Sequence, residues 1–414
     1  MGSTENSLKI PFIESLNFCE EHVIKVDNNF QENANSSFLI SVINMTGLLI
    51  GLGQLSTAYA LENGGWASCV LLSIGCGCGI SCNYNYTDIA YQAFGTNGEI
   101  IALSFIYLDI FMALVSFTIS MNDNLNILVS GTHLNFSWFS LSTSQTLTLI
   151  AILVSLPTVW MRDSKISFIS TFGIFLSLSI CVSVGFTAVF GGVKANKPIP
   201  VLRLENILPV SGLYIFSFAS HMVMPDIYRS MKDPSRITEV SIMSFGIVTF
   251  IYTVLGFMGA KMFGPEVRSQ ITLSMPENLI FTEIALWATA LTPITKYVFL
   301  VAPVASQVER NFPSWMSFSM KTVIRNTVGS LFFIFVLVLA LTILFFEKVL
   351  GLTGSLVSVG ISMILPCFFY LKIYWPQISV LNLVLHFTII TACTIVGVLG
   401  TISNIKSLIE TLTW

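Results

Sequence analysis

The stretch TGLLIGLGQLSTAYALENGGW, Thr46–Trp66, sets the terms for the whole chain. It lies in an apolar run, yet Gly51, Gly53, Gln54 and Ser56 fall near its middle. Glycine inside a helix costs roughly 0.5–1 kcal/mol relative to alanine, and two glycines two residues apart lower the cost of leaving helical geometry. In lipid, freed backbone groups are tolerated only where protein or a water-filled cavity covers them. Freed carbonyls then attract a cation or an ammonium group. The N-terminus of the half-helix that follows carries positive dipole character and attracts a carboxylate. The other reading is close packing, in which Gly51 and Gly53 let a neighbouring helix approach.

Composition decides the solvent. The 414 residues are 54% hydrophobic and 10% charged, with 33 Phe, and the mean hydropathy is +0.80. A soluble domain carries about 25% charged residues, so the chain reads as an all-α polytopic membrane protein. The net charge of −3 offers no basic face for nucleic acid. The 8 Cys lie mostly in or beside apolar runs and suggest no disulfide framework. Cys76, Cys78 and Cys82 in GCGCGISC fit no usual metal-ligand spacing and read as small residues for helix packing. No phosphate loop, metal spacing or catalytic triad order is present. These absences point away from an enzyme and from a cofactor.

A membrane helix needs about 20 apolar residues. Windows of that length give eleven spans: 37–63, 66–83, 98–128, 145–161, 167–190, 207–230, 240–263, 282–307, 322–345, 348–371 and 380–404. They form one transmembrane domain over 37–405, between a polar tail, 1–36, and a short C-terminal tail, 406–414. Lys and Arg in loops set orientation. With the N-terminus in the cytosol, eleven lie on the cytosolic side and six opposite. The sequon Asn135-Phe136-Ser137 then falls on the non-cytosolic side.

Spans 1 and 6 are both interrupted by polar or glycine residues, five spans apart. Secondary transporters place discontinuous helices at corresponding positions of two inverted halves. The spacing fits a 5+5 repeat followed by one extra span. Span 6 carries Ser217, Ser220 and His221, and span 8 carries Thr292, Thr295 and Lys296. Span 3 carries Asp109 about ten residues, or about 15 Å, from its start. A charge at that depth costs roughly 2.5–3.5 kcal/mol on insertion scales, so an ionisable residue there is a functional candidate.

Beyond this pattern, LGQLSTAYALENGGW, DIAYQAFG, SMNDNL, LPTVW, HMVMPDIYRSMKDPS, SQITLSMP, LTPITKY and ILPCFFY occur in order along the chain. Together they resemble the amino acid/auxin permease family, and most of all its vacuolar amino acid transporter branch. The resemblance covers roughly 37–405. It implies the leucine-transporter fold, eleven spans, proton-coupled amino acid transport, and a substrate held between spans 1 and 6 beside spans 3 and 8. The chain departs from the family at several places. Relatives usually carry Asn where Gly47 stands, Pro where Ala58 stands and an apolar residue where Gln54 stands. Three glycines usual in span 6 are absent from Tyr214–His221, and Ser116 replaces a second acid in span 3.

Thr46, Gly51, Gly53, Gln54, Ser56, Tyr107, Phe111, Ser217 and Ser220 are therefore the expected substrate-site residues. Asp109, His221, Thr292, Thr295 and Lys296 are the expected proton-coupling or ion-site residues. Each has a structural alternative: a paired carboxyl for Asp109, a core histidine for His221, hydroxyls bonded back to their own helix for the threonines, and a partner of span 1 carbonyls for Lys296. The function implied is a proton-driven secondary transporter of a neutral amino acid in an endomembrane such as the vacuole. Two alternatives stand beside it: a non-transporting amino acid sensor on the same fold, and a carrier of an auxin-like carboxylate.

Overall fold

The computed structural model describes residues 36–71, 73, 86–130, 143–159, 166–195, 198–219, 224–310, 312, 315–343 and 345–412. The tail before Ser36, most of span 2 with GCGCGISC, the sequon, Ser220 and His221 lie outside the described residues.

The first span is two helices, Phe38–Leu49 and Leu52–Gly64, which meet at 57°. The break falls on Ile50 and Gly51, and Gly51 has φ −146° and ψ −129°. Span 6 is likewise divided into Ile207–Ser217 and Met224–Ser230, the first half ending where Phe218 leaves helical geometry. The other spans are Tyr86–Leu128, Thr143–Val159, Ile166–Phe190, Ile237–Phe263, Ile280–Arg310, Phe318–Thr342 and Val380–Leu412. Span 10 is composite: Phe346–Leu352 is α-helical, Thr353–Ser358 and Gly360–Ile364 are π-helical, and Leu365–Tyr374 is α-helical again. Among the described residues six helices are long and apolar enough to cross a bilayer, and the bent first pair makes a seventh.

Span 3 begins earlier than its hydropathy suggests. Helix starts at Tyr86 and turns at Gly95, whose φ of 63° is open to glycine at little cost. The segment before the turn is held by packing on span 10, where Tyr86 lies edge-on to Phe369 at 5.6 Å and donates its hydroxyl to the Ile361 carbonyl at 3.0 Å. Hydropathy misses it because its exposed face mixes Asp88 and Gln92 with Tyr91 and Phe94.

The broken spans lie centrally. Span 7 packs on both halves of span 1, while span 8 packs on spans 3 and 5. The first half of span 6 lies against the second half of span 1, the π-helical stretch of span 10 and span 11. One continuous apolar cluster, including Met45, Leu49, Leu114, Phe117, Phe218, Tyr252 and Tyr297, fills the interior. Large apolar side chains such as Val384, Ile395 and Ile402 face outward, as lipid rather than water requires.

Each half of span 1 is clamped to a part of the chain bordering span 6. Where span 1 starts, Ser36 N–H donates to the Ser230 carbonyl at 2.9 Å and Lys232 N–H donates to the Ser36 carbonyl at 3.0 Å. There Arg236 also lies over the Phe38 ring at 4.2 Å. Where span 1 ends, Trp66, Ala67 and Arg203 N–H groups donate to the carbonyls of Pro200, Val201 and Gly64. Gly65 is required in that second clamp. Its φ is 80°, and a Cβ would come within 2.8 Å of the Leu202 nitrogen. The Glu62 carboxylate, 2% exposed, closes the clamp by an ion pair with Arg203 at 3.0 Å.

Candidate functional site

A helix that stops in mid-bundle leaves its last carbonyls without intrahelical donors. At the break in span 1, the Thr46 carbonyl still accepts from Ile50 N–H. Lys296 Nζ donates to the Gly47 carbonyl at 2.8 Å and to the Ile50 carbonyl at 3.3 Å. Tyr252 OH donates to the Leu49 carbonyl at 2.9 Å, and Ser177 Oγ donates to the Ile50 carbonyl at 3.5 Å. The exposed end of the half-helix is thus capped by three side chains from spans 8, 7 and 5. A cation at a helix C-terminus also gains from the macrodipole. Lys296, 8% exposed, supplies that charge from within the protein.

Small residues let these elements close on the ammonium. A Cβ on Gly47 would overlap Ile174 of span 5. The Asn usual in relatives at this place therefore needs Ile174 to move. A Cβ on Gly173 would meet Thr295 Oγ1 at 2.6 Å. Thr295 and Thr292 are buried, and their hydroxyls donate to the carbonyls of Thr292 and Ala288 in their own helix. They shape the pocket of Lys296 without bonding to it.

The two breaks meet at Gly53. A Cβ there would come within 2.7 Å of Ser217 Cβ and 2.8 Å of Tyr252 OH. The closest approach of spans 1 and 6 therefore needs glycine, so the hinge and the close-packing readings hold together. Ser217 sits where the first half of span 6 ends, its hydroxyl donating back to the Leu213 carbonyl at 2.7 Å. Ser56 is buried and donates to the Gly53 carbonyl at 3.3 Å. Thr46 Oγ1 is buried with no hydrogen-bond partner among the described residues. Gln54 is 1% exposed and turned to span 5, where its Oε1 accepts from Cys181 Sγ at 3.4 Å.

Asp109 stands at a different junction. It is 4% exposed, and its Oδ1 accepts from Ser358 Oγ on the π-helical part of span 10 at 3.1 Å. Phe111, two residues on, points elsewhere: it stacks on Phe335 at 5.4 Å and tilts against Phe332 at 5.8 Å, both on span 9. Tyr107 is half-buried beside the main core cluster. Span 3 reaches span 8 lower down through a 2.8 Å hydrogen bond between Thr118 and Tyr297.

Reading the sequence did not find three features of this region. Tyr252 is a lone tyrosine in an apolar run, and nothing local marks it. Ser358 had a signal in the small, polar run TGSLVSVGIS of span 10. The third is a buried network at the end where span 1 finishes. Gln270 Oε1 accepts from Ser120 at 2.6 Å and from Asn124 at 2.9 Å, while its Nε2 donates to Asp123 at 2.8 Å. Thr272 completes it by donating to Asn124 at 2.8 Å. This network joins the SMNDNL and SQITLSMP stretches, which lie far apart in sequence. Among the described residues no group of His, Cys, Asp and Glu converges to hold a metal.

Comparison with known proteins bears on what this site serves. Solved structures with the same fold include MhsT, in a structure of its complex with L-phenylalanine, at TM-score 0.56 and 12% identity over 88% of this chain and 98% of that one. A Na⁺-coupled sialic acid symporter matches at TM-score 0.51 and 12% identity over 98% and 96%. At such identities the likeness carries the fold alone, the leucine-transporter fold of two inverted five-span halves plus an eleventh span. Sequence relatives are closer. Amino acid transporter AVT1H of Arabidopsis thaliana is 49% identical over 395 residues, 91% of each chain. Amino acid transporter AVT1J of the same plant is 31% identical over 431 residues, 99% of each. The family described as transmembrane amino acid transporter protein matches residues 34–410. With nine-tenths of its length matched by that family and by these relatives, the chain belongs to the transmembrane amino acid transporter family, as a multi-pass integral membrane protein rather than an enzyme.

Proposed function

We propose that this protein is a proton-coupled secondary transporter of neutral amino acids that works by alternating access. The observation that carries the proposal is the break at Ile50 and Gly51, where the Lys296 ammonium holds the Gly47 and Ile50 carbonyls. A built-in cation at the junction of spans 1 and 8 does there what a bound metal cation would otherwise do. That leaves the proton as the coupling ion. Asp109 is the residue that loads and releases it, because its carboxyl, 4% exposed, lies in the middle of span 3 with one hydroxyl as its partner, whereas Asp123 is tied to Gln270 near the end of that span.

The substrate carboxylate sits at the N-terminus of the Leu52–Gly64 helix, where unpaired N–H groups and the helix dipole favour an anion. Thr46, Gly51, Gly53 and Ser56 line that position, Ser217 borders it at Gly53, and Ser220 is assigned to the substrate ammonium from its place in the sequence. No acidic or basic residue is among them, which favours a neutral side chain. Gln54 and Phe111, turned to span 5 and to span 9, are left out of that lining, and Tyr107 is the flanking residue that narrows the choice of substrate. His221, Thr292 and Thr295 support the ion site. The relatives are named amino acid transporters, which supports the substrate class. Their names suggest an endomembrane, and the excess of Lys and Arg on one side assigns the N-terminal tail to the cytosol.

Uptake of radiolabelled neutral amino acids into proteoliposomes, with and without an imposed pH gradient, tests the reading. Uptake accelerated by the gradient is the expected result. Uptake indifferent to it removes proton coupling, and binding without uptake turns the assignment toward a sensor.

A further inference from the structure

The residue that holds Asp109 lies in the least regular part of the bundle. Span 10 is π-helical over Thr353–Ser358 and again over Gly360–Ile364. Single-turn π segments inside α-helices occur often at functional sites, because the extra residue in the turn loosens the ladder. Ser358 donates its hydroxyl to Asp109 from the end of the first π turn. Span 3 makes two further contacts with the second. Phe105 packs so close to Gly360 that a Cβ there would meet its ring at 2.6 Å, and Tyr86 donates to the Ile361 carbonyl.

The same segment is gripped from its other sides. The backbones of Gly212, Gly351 and Gly354 touch so closely that a Cβ on Gly212 or Gly354 would overlap the facing carbonyl. Span 11 presses on it through Gly397 and Gly400, and Thr401 donates to Ser355 Oγ at 3.4 Å. Gly212 lies in the first half of span 6, which ends at Ser217 beside the hinge of span 1. A close-packed seam therefore runs from Asp109, through Ser358 and the π turns, to one wall of the candidate substrate site. Interiors packed at this density shift between discrete arrangements rather than yield gradually.

We propose that Ser358 is the positioning residue for Asp109, and that the π-helical segment of span 10 transmits the state of the Asp109 carboxyl to the first half of span 6. The proposal rests on Asp109 being the proton-loading residue. When Asp109 is ionised it accepts a charge-assisted bond from the Ser358 hydroxyl; when it is protonated that bond weakens and the carboxyl gains an O–H that needs an acceptor of its own, and the turn carrying Ser358 is the one with slack. Ser358 is the recorded partner of Asp109. The charged and titratable groups on the elements packed against span 3 include Lys296 and Tyr297 on span 8, Arg325 on span 9, and Glu347, Lys348 and Lys372 on span 10.

The full-length protein, purified and reconstituted, supports a test in three arms. The carboxylic-acid carbonyl stretch in the infrared, titrated with pH and assigned by its loss in Asp109→Asn, reports the carboxyl directly. In Ser358→Ala its midpoint moves upward by about one pH unit, because a donor to the ionised form is gone; Ser358→Thr restores it. Hydrogen exchange of the 207–217 backbone depends on pH in the wild type and loses that dependence in Ser358→Ala. Should that variant fold poorly, Ser358→Cys keeps the volume with a weaker donor and shifts the midpoint in the same direction. An unmoved midpoint in either variant overturns the positioning role, and pH-independent exchange in the wild type overturns the transmission. Asp109→Asn tells the two readings apart. If it leaves the pH dependence of L-alanine and L-phenylalanine uptake intact, the proton reading itself fails. If it abolishes that dependence while Ser358→Ala changes nothing, only this inference fails.

Discussion

Lys296 and Asp109 are both buried ionisable residues in mid-bundle, and they are held in opposite ways. Lys296 meets two backbone carbonyls released by a broken helix, in a pocket closed by Ile174 and Thr295. Asp109 meets a single hydroxyl on a helix that has an extra residue in its turn. The first environment fixes one position, because releasing the ammonium takes the side-chain donor from the Gly47 carbonyl and leaves the Ile50 carbonyl only the long bond from Ser177. The second accommodates either protonation state with a small local change. The proton-coupled cycle proposed above needs both: a fixed charge that keeps the hinge assembled, and a carboxyl whose state can alternate. The difference shows why two ionisable residues at similar burial need not share a role.

The comparison breaks most sharply at Lys296. Each buried carbonyl left without a donor costs about 1–3 kcal/mol. Lys296→Met strips the Gly47 carbonyl and leaves the Ile50 carbonyl only the long bond from Ser177, and uptake is expected to fall by about two orders of magnitude, equally at every pH. Initial rates in proteoliposomes check this, alongside thermal stability in detergent. A variant that keeps its rate and loses only its pH dependence would show that Lys296, not Asp109, is the alternating group.

Gly53→Ala comes next. Its methyl must displace Ser217 or the Tyr252 hydroxyl, and overpacking of this sort costs typically about 1–3 kcal/mol. The expectation is roughly tenfold weaker substrate binding with a stably folded protein, measured by scintillation proximity. Unchanged binding would mean that the closest approach of spans 1 and 6 does not shape the site.

Asp109→Asn should do less to the rate and more to its control. Exchange of substrate across the membrane is expected to persist within about threefold, since the amide nearly matches the carboxyl in volume, while the acceleration by a pH gradient disappears. Counterflow compared with gradient-driven uptake separates the two. Loss of counterflow as well would make Asp109 a structural residue.

The smallest effect belongs to Tyr252→Phe. It removes one donor to the Leu49 carbonyl and leaves the ring contact with Phe218 in place. A net hydrogen bond contributes about 1 kcal/mol, so a few-fold loss of uptake at all pH values is expected. A change in the pH profile instead would link the two sites more directly than their separate partners suggest.

Much of the architecture was legible in the sequence for a simple reason. Hydrocarbon imposes the same requirement on every span, so apolar length and the places where glycine and polar residues interrupt it carry over directly into structure. The breaks in spans 1 and 6 are where Gly51 and the Ser217 region suggested. The helix from Tyr86 to the Gly95 turn was hidden because it lies outside the regular span and is held by contacts with span 10 rather than by its own apolar length.

The site was legible only in part. Sequence picks out Asp109 and Lys296 because ionisable groups are rare and costly in lipid. It does not show that Lys296 caps the broken helix, that Gln54 turns to Cys181, or that Phe111 belongs to the span 9 rings. Helical phase narrows the face of a residue, but which neighbour occupies that face depends on how the helices cross. From sequence alone came the solvent, the spans, the two breaks and the list of costly residues, because each follows from local composition. The partners of those residues, Ser358 for Asp109 and the Gly47 and Ile50 carbonyls for Lys296, were decided by tertiary structure, because which groups meet across 249 or 246 positions depends on how the helices cross and not on the local pattern of either end.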